Sequence, residues 1–265
     1  MKQYCATDQR IHLLSQIIAK VNRSLVPARP DDSHTNLYYE PISRRLYGRW
    51  FQNQERACVL TLDLAGLQYQ LINDHYEPEL SFEIAGKTVM QLEQEMVEAF
   101  EAIGMDTQEL FAPLHFEIEK YDFADSAAEA ISHAALEEWC FYRTQANHMC
   151  SDFLGFTQHI QEIRIWPHHF DTGVFVQAND SMGVGFGLAM NDQVVDQPYY
   201  YMSAYPKDGS MDYSQIPQSD FWRMEVKENW SGCILSLDIL EDKEEHERRQ
   251  ILLDYLSIYK WMFKQ

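Results

Sequence analysis

An α+β fold with antiparallel sheets is predicted by three features of the chain. Stretches with apolar residues at three- and four-residue spacing are separated by short runs of alternating or aromatic character. The links between those runs are only a few residues long, which suits antiparallel pairing and leaves no room for parallel crossovers. The order helix, strands, helix then occurs twice. That recurrence predicts two similar halves packed together, residues 1–122 and 123–265, as a duplicated unit would give, although no residue-level repeat connects them.

In the first half, Ile11, Leu14, Ile18, Val21 and Leu25 share one face of a helix over residues 8–26. Asp8 is placed to cap it, and Pro27 and Pro30 end it. Strand-like runs follow at 35–42, 46–51, 57–64 and 67–72. Val59, Thr61 and Asp63 alternate with Cys58, Leu60, Leu62 and Leu64, and Ala65-Gly66 marks a tight turn. Thr88 and Gln91 have capping-box spacing for a helix whose stripe is Val89, Leu92, Met96, Phe100 and Ile103, with Gly104 at its stop. Residues 116–121 read as one more strand.

The second half opens with a helix from Asp125 or Ser126 to about Leu154, stopped by Gly155. Candidate strands follow at 162–166, 170–177, 184–188, 199–204, 221–226 and 233–237. A last helix over 243–263 begins with Glu241-Asp242-Lys243-Glu244-Glu245, acids at the positive end of its dipole.

Composition narrows function by exclusion. Hydrophobic residues are 46% and charged residues 23%, the profile of a globular chain with a real core. With 21 basic against 41 acidic residues the net charge is −20, which disfavours nucleic acid and anionic membrane surfaces as partners. No run approaches the length of a membrane helix, and Met1 to Asp8 lacks the apolar core of a signal peptide. Five cysteines without a Cys-x-x-Cys pair predict reduced thiols and a cytoplasmic location.

Three segments could carry chemistry. The densest is Ile165-Trp166-Pro167-His168-His169-Phe170-Asp171. On an extended chain His169 and Asp171 point the same way, so Asp171 could orient His169 as a base, or both could reach one divalent ion. The bland alternative makes Trp166 and Phe170 core, His169 a bonded histidine and Asp171 a turn residue. Gly183, Gly185 and Gly187 strip one face of a strand, where a ring, a backbone or a ligand can approach closely. Tyr199, Tyr201 and Ser203 line one face of the next strand, and Tyr200, Met202 and Ala204 the other. A tyrosine wall suits a small ligand, and equally a sheet surface or a dimer contact. His34 occupies a helix-to-strand position analogous to that of His169. His12, His75, His133, His148, His159 and His246 read as solvated.

The Trp166–Asp171 segment, followed by Gly185-Phe186-Gly187, Asn191-Asp192 and Pro198-Tyr199-Tyr200-Tyr201, resembles an uncharacterised bacterial family, a domain of unknown function with a Trp-Pro-x-His-Phe-Asp signature. His34-Thr35-Asn36-Leu37-Tyr38 is similar to that family's opening. Met190-Asn191-Asp192 departs from its Ser-Pro-Gly-Asp-like turn. The resemblance implies that His169 and Asp171 belong to the signature, and it implies no activity or cofactor.

The leading expectation is a small-molecule-binding protein, enzymatic or not. His169 and Asp171 would be its working pair, with Trp166, His168, Tyr199, Tyr201 and His34 around the ligand. The rivals are a non-catalytic interaction protein or homo-oligomer that docks through its aromatic strands, and a divalent-metal hydrolase. The hydrolase would need a third ligand from Glu162, Asp192 or His34.

Overall fold

The first helix, α1, runs Lys2–Leu25, longer at its start than the sequence pattern suggested. Asp8 is therefore inside the helix and caps nothing. It is 1% exposed, and its carboxylate accepts a 2.7 Å hydrogen bond from the Trp139 indole, a partner 131 residues away. The computed structural model describes residues 1–193, 195–209, 211–227 and 230–263. They form two compact units with interleaved sequences. The amino-terminal unit holds Ala6–Tyr142 and Arg164–Phe170; the carboxy-terminal unit holds Met1–Cys5, Arg143–Ile163 and Asp171–Gln265. The protein is α+β, with an antiparallel sheet in each unit.

In the amino-terminal unit, a 3-10 turn at Ser33–Thr35 leads into β1 (Tyr38–Glu40), β2 (Arg45–Tyr47), β3 (Phe51–Asn53), β4 (Arg56–Asp63), β5 (Gln68–Asn73) and β6 (Pro78–Glu83). Their order is β1-β2-β4-β5-β6, with β3 paired to β4. The run expected at 35–42 shortens to β1 because Ser33–Thr35 is helical. Cys58 through Leu62 are all 0% exposed, so both faces of β4 are covered and its alternation does not separate core from solvent. Helix α1 lies close on this sheet. A Cβ at Gly48 would sit 2.5 Å from the Asn22 side-chain oxygen and 2.8 Å from Ile18 Cγ2, so only glycine fits.

Helix α2, Val89–Ala102, starts at the expected capping box: the Thr88 hydroxyl accepts from Gln91 N, and the Gln91 side chain accepts from Thr88 N. The strand expected at 116–121 does not form; residues 103–132 contain no helix or strand. Their carbonyls find side-chain donors instead of a ladder: the Arg23 guanidinium bonds those of Glu109, Ala112 and Pro113, at 2.8–2.9 Å. Helix α3 accordingly starts later, at His133, and runs through Gly155 to Thr157. Strand β7, Arg164–Trp166, belongs to the amino-terminal unit, where Ile165 and Leu37 exchange backbone hydrogen bonds of 2.7 and 3.0 Å.

The carboxy-terminal sheet contains β8 (Asp171–Asn179), β9 (Met182–Ala189), β10 (Tyr199–Pro206), β11 (Arg223–Val226) and β12 (Ser231–Ser236), in the order β11-β12-β10-β9-β8. The chain ends in α4 (Asp238–Glu241), α5 (Glu245–Leu256) and a 3-10 segment, Ser257–Phe263, in place of one continuous helix. On one face of the sheet Phe186, Tyr200 and Met202 are buried; Phe153 of α3 stacks on Phe186 at 4.8 Å, and the Tyr255 hydroxyl donates to the Tyr200 and Cys233 carbonyls.

The register puts Gly173, Gly183, Gly185 and Gly187 on the other face with Tyr199, Tyr201 and Tyr205. Aromatic rings occupy the space those glycines leave. Phe175 covers Gly183, Tyr205 and Tyr201 cover Gly185, and the Tyr201 hydroxyl sits over Gly173 and Gly187. No helix among the described residues is long and apolar enough to cross a membrane.

Candidate functional site

The Trp-Pro segment is a turn. Phe170 N donates to the Trp166 carbonyl at 2.7 Å, and Phe170 takes the left-handed conformation, φ +51°. That geometry is uncommon for a bulky residue. Strand alternation does not run through it, so the expected common direction of His169 and Asp171 has no basis. His169 is exposed and belongs to the amino-terminal unit; Asp171 is 8% exposed and opens β8 in the carboxy-terminal unit.

The turn is clamped by α1. The Pro167 carbonyl accepts from His12 Nε2 at 2.8 Å and from Gln16 Nε2 at 2.7 Å. A carbonyl can only accept, so His12 carries its proton on Nε2, and its Nδ1 accepts the Tyr121 hydroxyl at 2.7 Å. His12 is 3% exposed and stacks on Phe170 at 5.0 Å. It is a buried structural histidine, not a solvated one. Asp8, His12 and Gln16, at i, i+4 and i+8, form a buried polar stripe on α1. That spacing was the one signal available for it in the sequence.

The turn carrying His34 lies beside this segment. Besides the Leu37–Ile165 exchange, Arg164 approaches Asp31 at 3.6 Å. Ser33, His34 and Asn36 are 2%, 6% and 2% exposed. Asn22, fully buried on α1, supports them: its amide nitrogen donates to the Thr35 and Asn36 carbonyls, and its oxygen accepts from Arg49 N. Arg49 Nε donates to the Asn36 carbonyl at 2.9 Å. His34 Nδ1 accepts from Arg29 N, which puts the proton of the neutral ring on Nε2. Asn36 Nδ2 is buried and has no hydrogen-bond partner among the described residues, whereas the buried Ser33 side chain interacts with the Asp31 carboxyl and holds it below the usual carboxylate range.

His168 is half-buried, 4.2 Å between ring centroids from His169, and its ring packs on Phe116 at 5.4 Å. Burial, then the His169 and His115 rings, push its pKa down to about 4, against a smaller opposing pull from Asp32. It is a neutral imidazole at pH 7. His115 itself lies 3.4 Å from Asp32. Among the described residues no three His, Cys, Asp or Glu side chains are placed to hold a metal ion.

The remaining expected site residues are in the carboxy-terminal unit. The Tyr201 hydroxyl donates to Asp171 at 2.6 Å, and the Tyr199 hydroxyl donates to Asp192 at 2.8 Å. Burial first, then those carboxylates, raise both phenol pKa values. Tyr199 is also packed with Ala189, Val195 and Ile234. Arg143, which no sequence motif marks, is 0% exposed and donates to the Thr172 hydroxyl at 2.8 Å. Its place within a helical apolar pattern gave no sign of that bond.

A family model described as a family of unknown function, DUF5996, matches residues 1–177 of the 265. The chain belongs to DUF5996. No curated protein and no solved structure matches it. The DUF5996 match takes in the 31–37 turn, the whole Trp-Pro segment and Asp171, and ends inside β8. Tyr199 and Tyr201 lie beyond it.

Proposed function

We propose that this DUF5996 protein binds a small polar molecule where the 33–36 turn lies beside the Trp-Pro segment. One observation carries the reading: a buried side-chain donor, Asn36 Nδ2, has no hydrogen-bond partner among the described residues. A buried polar group without a partner costs about 1–3 kcal/mol, and such groups persist where water, an ion or a ligand completes them. Asn36 Nδ2 is a donor, and the Arg49 guanidinium lies beside it on the Asn36 carbonyl. The ligand is therefore one rich in acceptor oxygens. His34, His168 and His169 stand on the same two segments and offer ring nitrogens for orienting it, that of His168 neutral. Five unpaired cysteines, four of them buried, suit a reducing, cytoplasmic setting.

Native mass spectrometry of the full chain, purified without a metal column, tests this against a Ser33→Ala/Asn36→Ala variant. A co-purified mass in the parent and a clean mass in the variant is the expected result. A clean parent mass together with no stabilisation by small carboxylates or amides refutes the reading.

A second reading rests on Phe175 and Tyr205, which are 44% and 46% exposed with rings 5.8 Å apart on the glycine face. They give that sheet an apolar contact for a second copy of the chain. A concentration-dependent mass that Phe175→Ser abolishes would support it.

A further inference from the structure

Within the amino-terminal unit a cleft of about 150 Å³ opens between α1, the start of α2 and residues 123–131. Its walls are the apolar parts of Leu13, Val89, Phe123 and Ile131, and Arg10 and Lys87 stand among its lining residues. The volume is about that of the engineered cavity that takes up a benzene ring. We propose that this cleft is a second ligand site, separate from the 33–36 turn, and that it takes a small carboxylic acid with an aromatic or branched apolar body.

Three observations support the assignment. The cleft is held open by main-chain bonds: Ala128 N donates to the Lys87 carbonyl at 2.8 Å, and Gly86 N donates to the Ala128 carbonyl at 2.9 Å. Gly86 has φ +77°, a conformation that glycine adopts without strain. A wall fixed in this way spares a ligand the cost of ordering it.

The two cations are engaged, but by weak partners. Arg10 bonds Glu129 at 2.8 Å, and Glu129 is 75% exposed; Lys87 bonds Glu95 at 2.6 Å, and Glu95 is 43% exposed. Ion pairs this open to solvent hold their partners loosely. A carboxylate that also buries an apolar body can therefore displace Glu129 from Arg10. Arg10 makes no hydrogen bond among the described residues besides the one to Glu129, so the rest of its planar fork is open to a second oxygen.

The third observation is the charge of the whole chain. On a protein with a net charge of −20, two cations lining one apolar cleft, each paired with a carboxylate, make it less repulsive to an anion than the acidic surface around it.

The test is titration of the full-length chain with phenylacetate, benzyl alcohol and phenethylamine, read by ligand-observed NMR and calorimetry. Phenylacetate should bind more tightly than the neutral or the cationic probe. Arg10→Met and Lys87→Met should each weaken it severalfold and leave benzyl alcohol unchanged. Glu129→Gln should do the opposite and tighten phenylacetate about threefold, because it frees Arg10 from a surface ion pair. Ala127→Trp, at an exposed lining position, should block all three probes without unfolding the chain. Phenethylamine binding as tightly as phenylacetate, phenylacetate binding unchanged in Ala127→Trp, or no phenylacetate binding at millimolar concentration would each overturn the proposal. None of these outcomes bears on Ser33 or Asn36.

Discussion

Gly185 and Gly187 lie two residues apart on the same face of β9, yet adding one methyl group to each should have opposite consequences. A Cβ at Gly187 would lie 2.5 Å from the Thr172 carbonyl oxygen and 2.8 Å from Gly173 Cα, both backbone atoms of the neighbouring strand. Those atoms are held in the β8–β9 ladder, so relief requires the strands to part. A Cβ at Gly185 would meet side-chain atoms, Tyr205 Cε2 at 3.3 Å, Tyr201 Cε2 at 3.6 Å and the Tyr205 hydroxyl at 3.8 Å, and the half-exposed Tyr205 ring can give way. Overpacking against backbone puts Gly187→Ala at about 3 kcal/mol of destabilisation. Gly185→Ala should fall between neutral and about 0.5 kcal/mol stabilising, since it restricts the unfolded chain where the strand conformation suits alanine. At roughly 2–4 °C per kcal/mol for a chain of this size, the two variants should melt about 6–12 °C apart. Urea unfolding followed by tryptophan fluorescence measures both, with each transition fitted separately because the chain has two compact units. If Gly185→Ala proves as damaging as Gly187→Ala, the placement of the rings over the glycine face is wrong.

Three further outcomes are expected. His168 is held near pKa 4, below its ordinary 6.5, so the unfolded chain takes up its proton first. Its contribution to stability is complete above pH 6.5 and declines as the pH falls from 6.5 towards 4; His168→Asn should remove that part of the decline, and an NMR midpoint near 6.5 would contradict it. Trp139→Phe deletes the indole donor to the buried Asp8 carboxylate and should cost about 1–3 kcal/mol in urea unfolding. Asn22→Ala removes the donors to the Thr35 and Asn36 carbonyls and the acceptor of Arg49 N. It should cost at least about 2 kcal/mol and raise amide exchange at 33–37 more than at 89–102, and uniform exchange would show that Asn22 does not support the turn.

What could be read from the sequence was what local spacing decides. Thr88 and Gln91 form their capping box because both partners lie within one helical turn. Tyr200 and Met202 face the helices while Tyr199 and Tyr201 face the glycines, because a strand has no other way to place them. Features decided by distant partners were not readable. Asp8 looked like a cap because nothing nearby indicates that Trp139 is its donor. His12 looked solvated because its acceptor, the Pro167 carbonyl, carries no side-chain signature. Residues 116–121 had strand character, but the segment pairs with no strand of the described sheets. The turn at Pro167–Phe170 depends on a left-handed phenylalanine, a conformation that sequence argues against. The unpartnered Asn36 Nδ2 was invisible for the same reason, since a missing partner is a property of the folded surroundings alone.

The clamp on the Pro167 carbonyl also sets an order of events during synthesis. His12 and Gln16 leave the ribosome early, but the acceptor they share is made 155 and 151 residues later. At translation speeds of about 5–20 residues per second, that is roughly 8–30 s during which the buried stripe of α1 has no acceptor there. Through that interval the helix must stay wet along one edge or be covered by another molecule. The amino-terminal unit reaches its final form only when Arg164–Phe170 arrives, by which time most of α3 already exists. For this chain, the half that is made first cannot finish until its last piece, Arg164–Phe170, follows a segment that belongs to the other half.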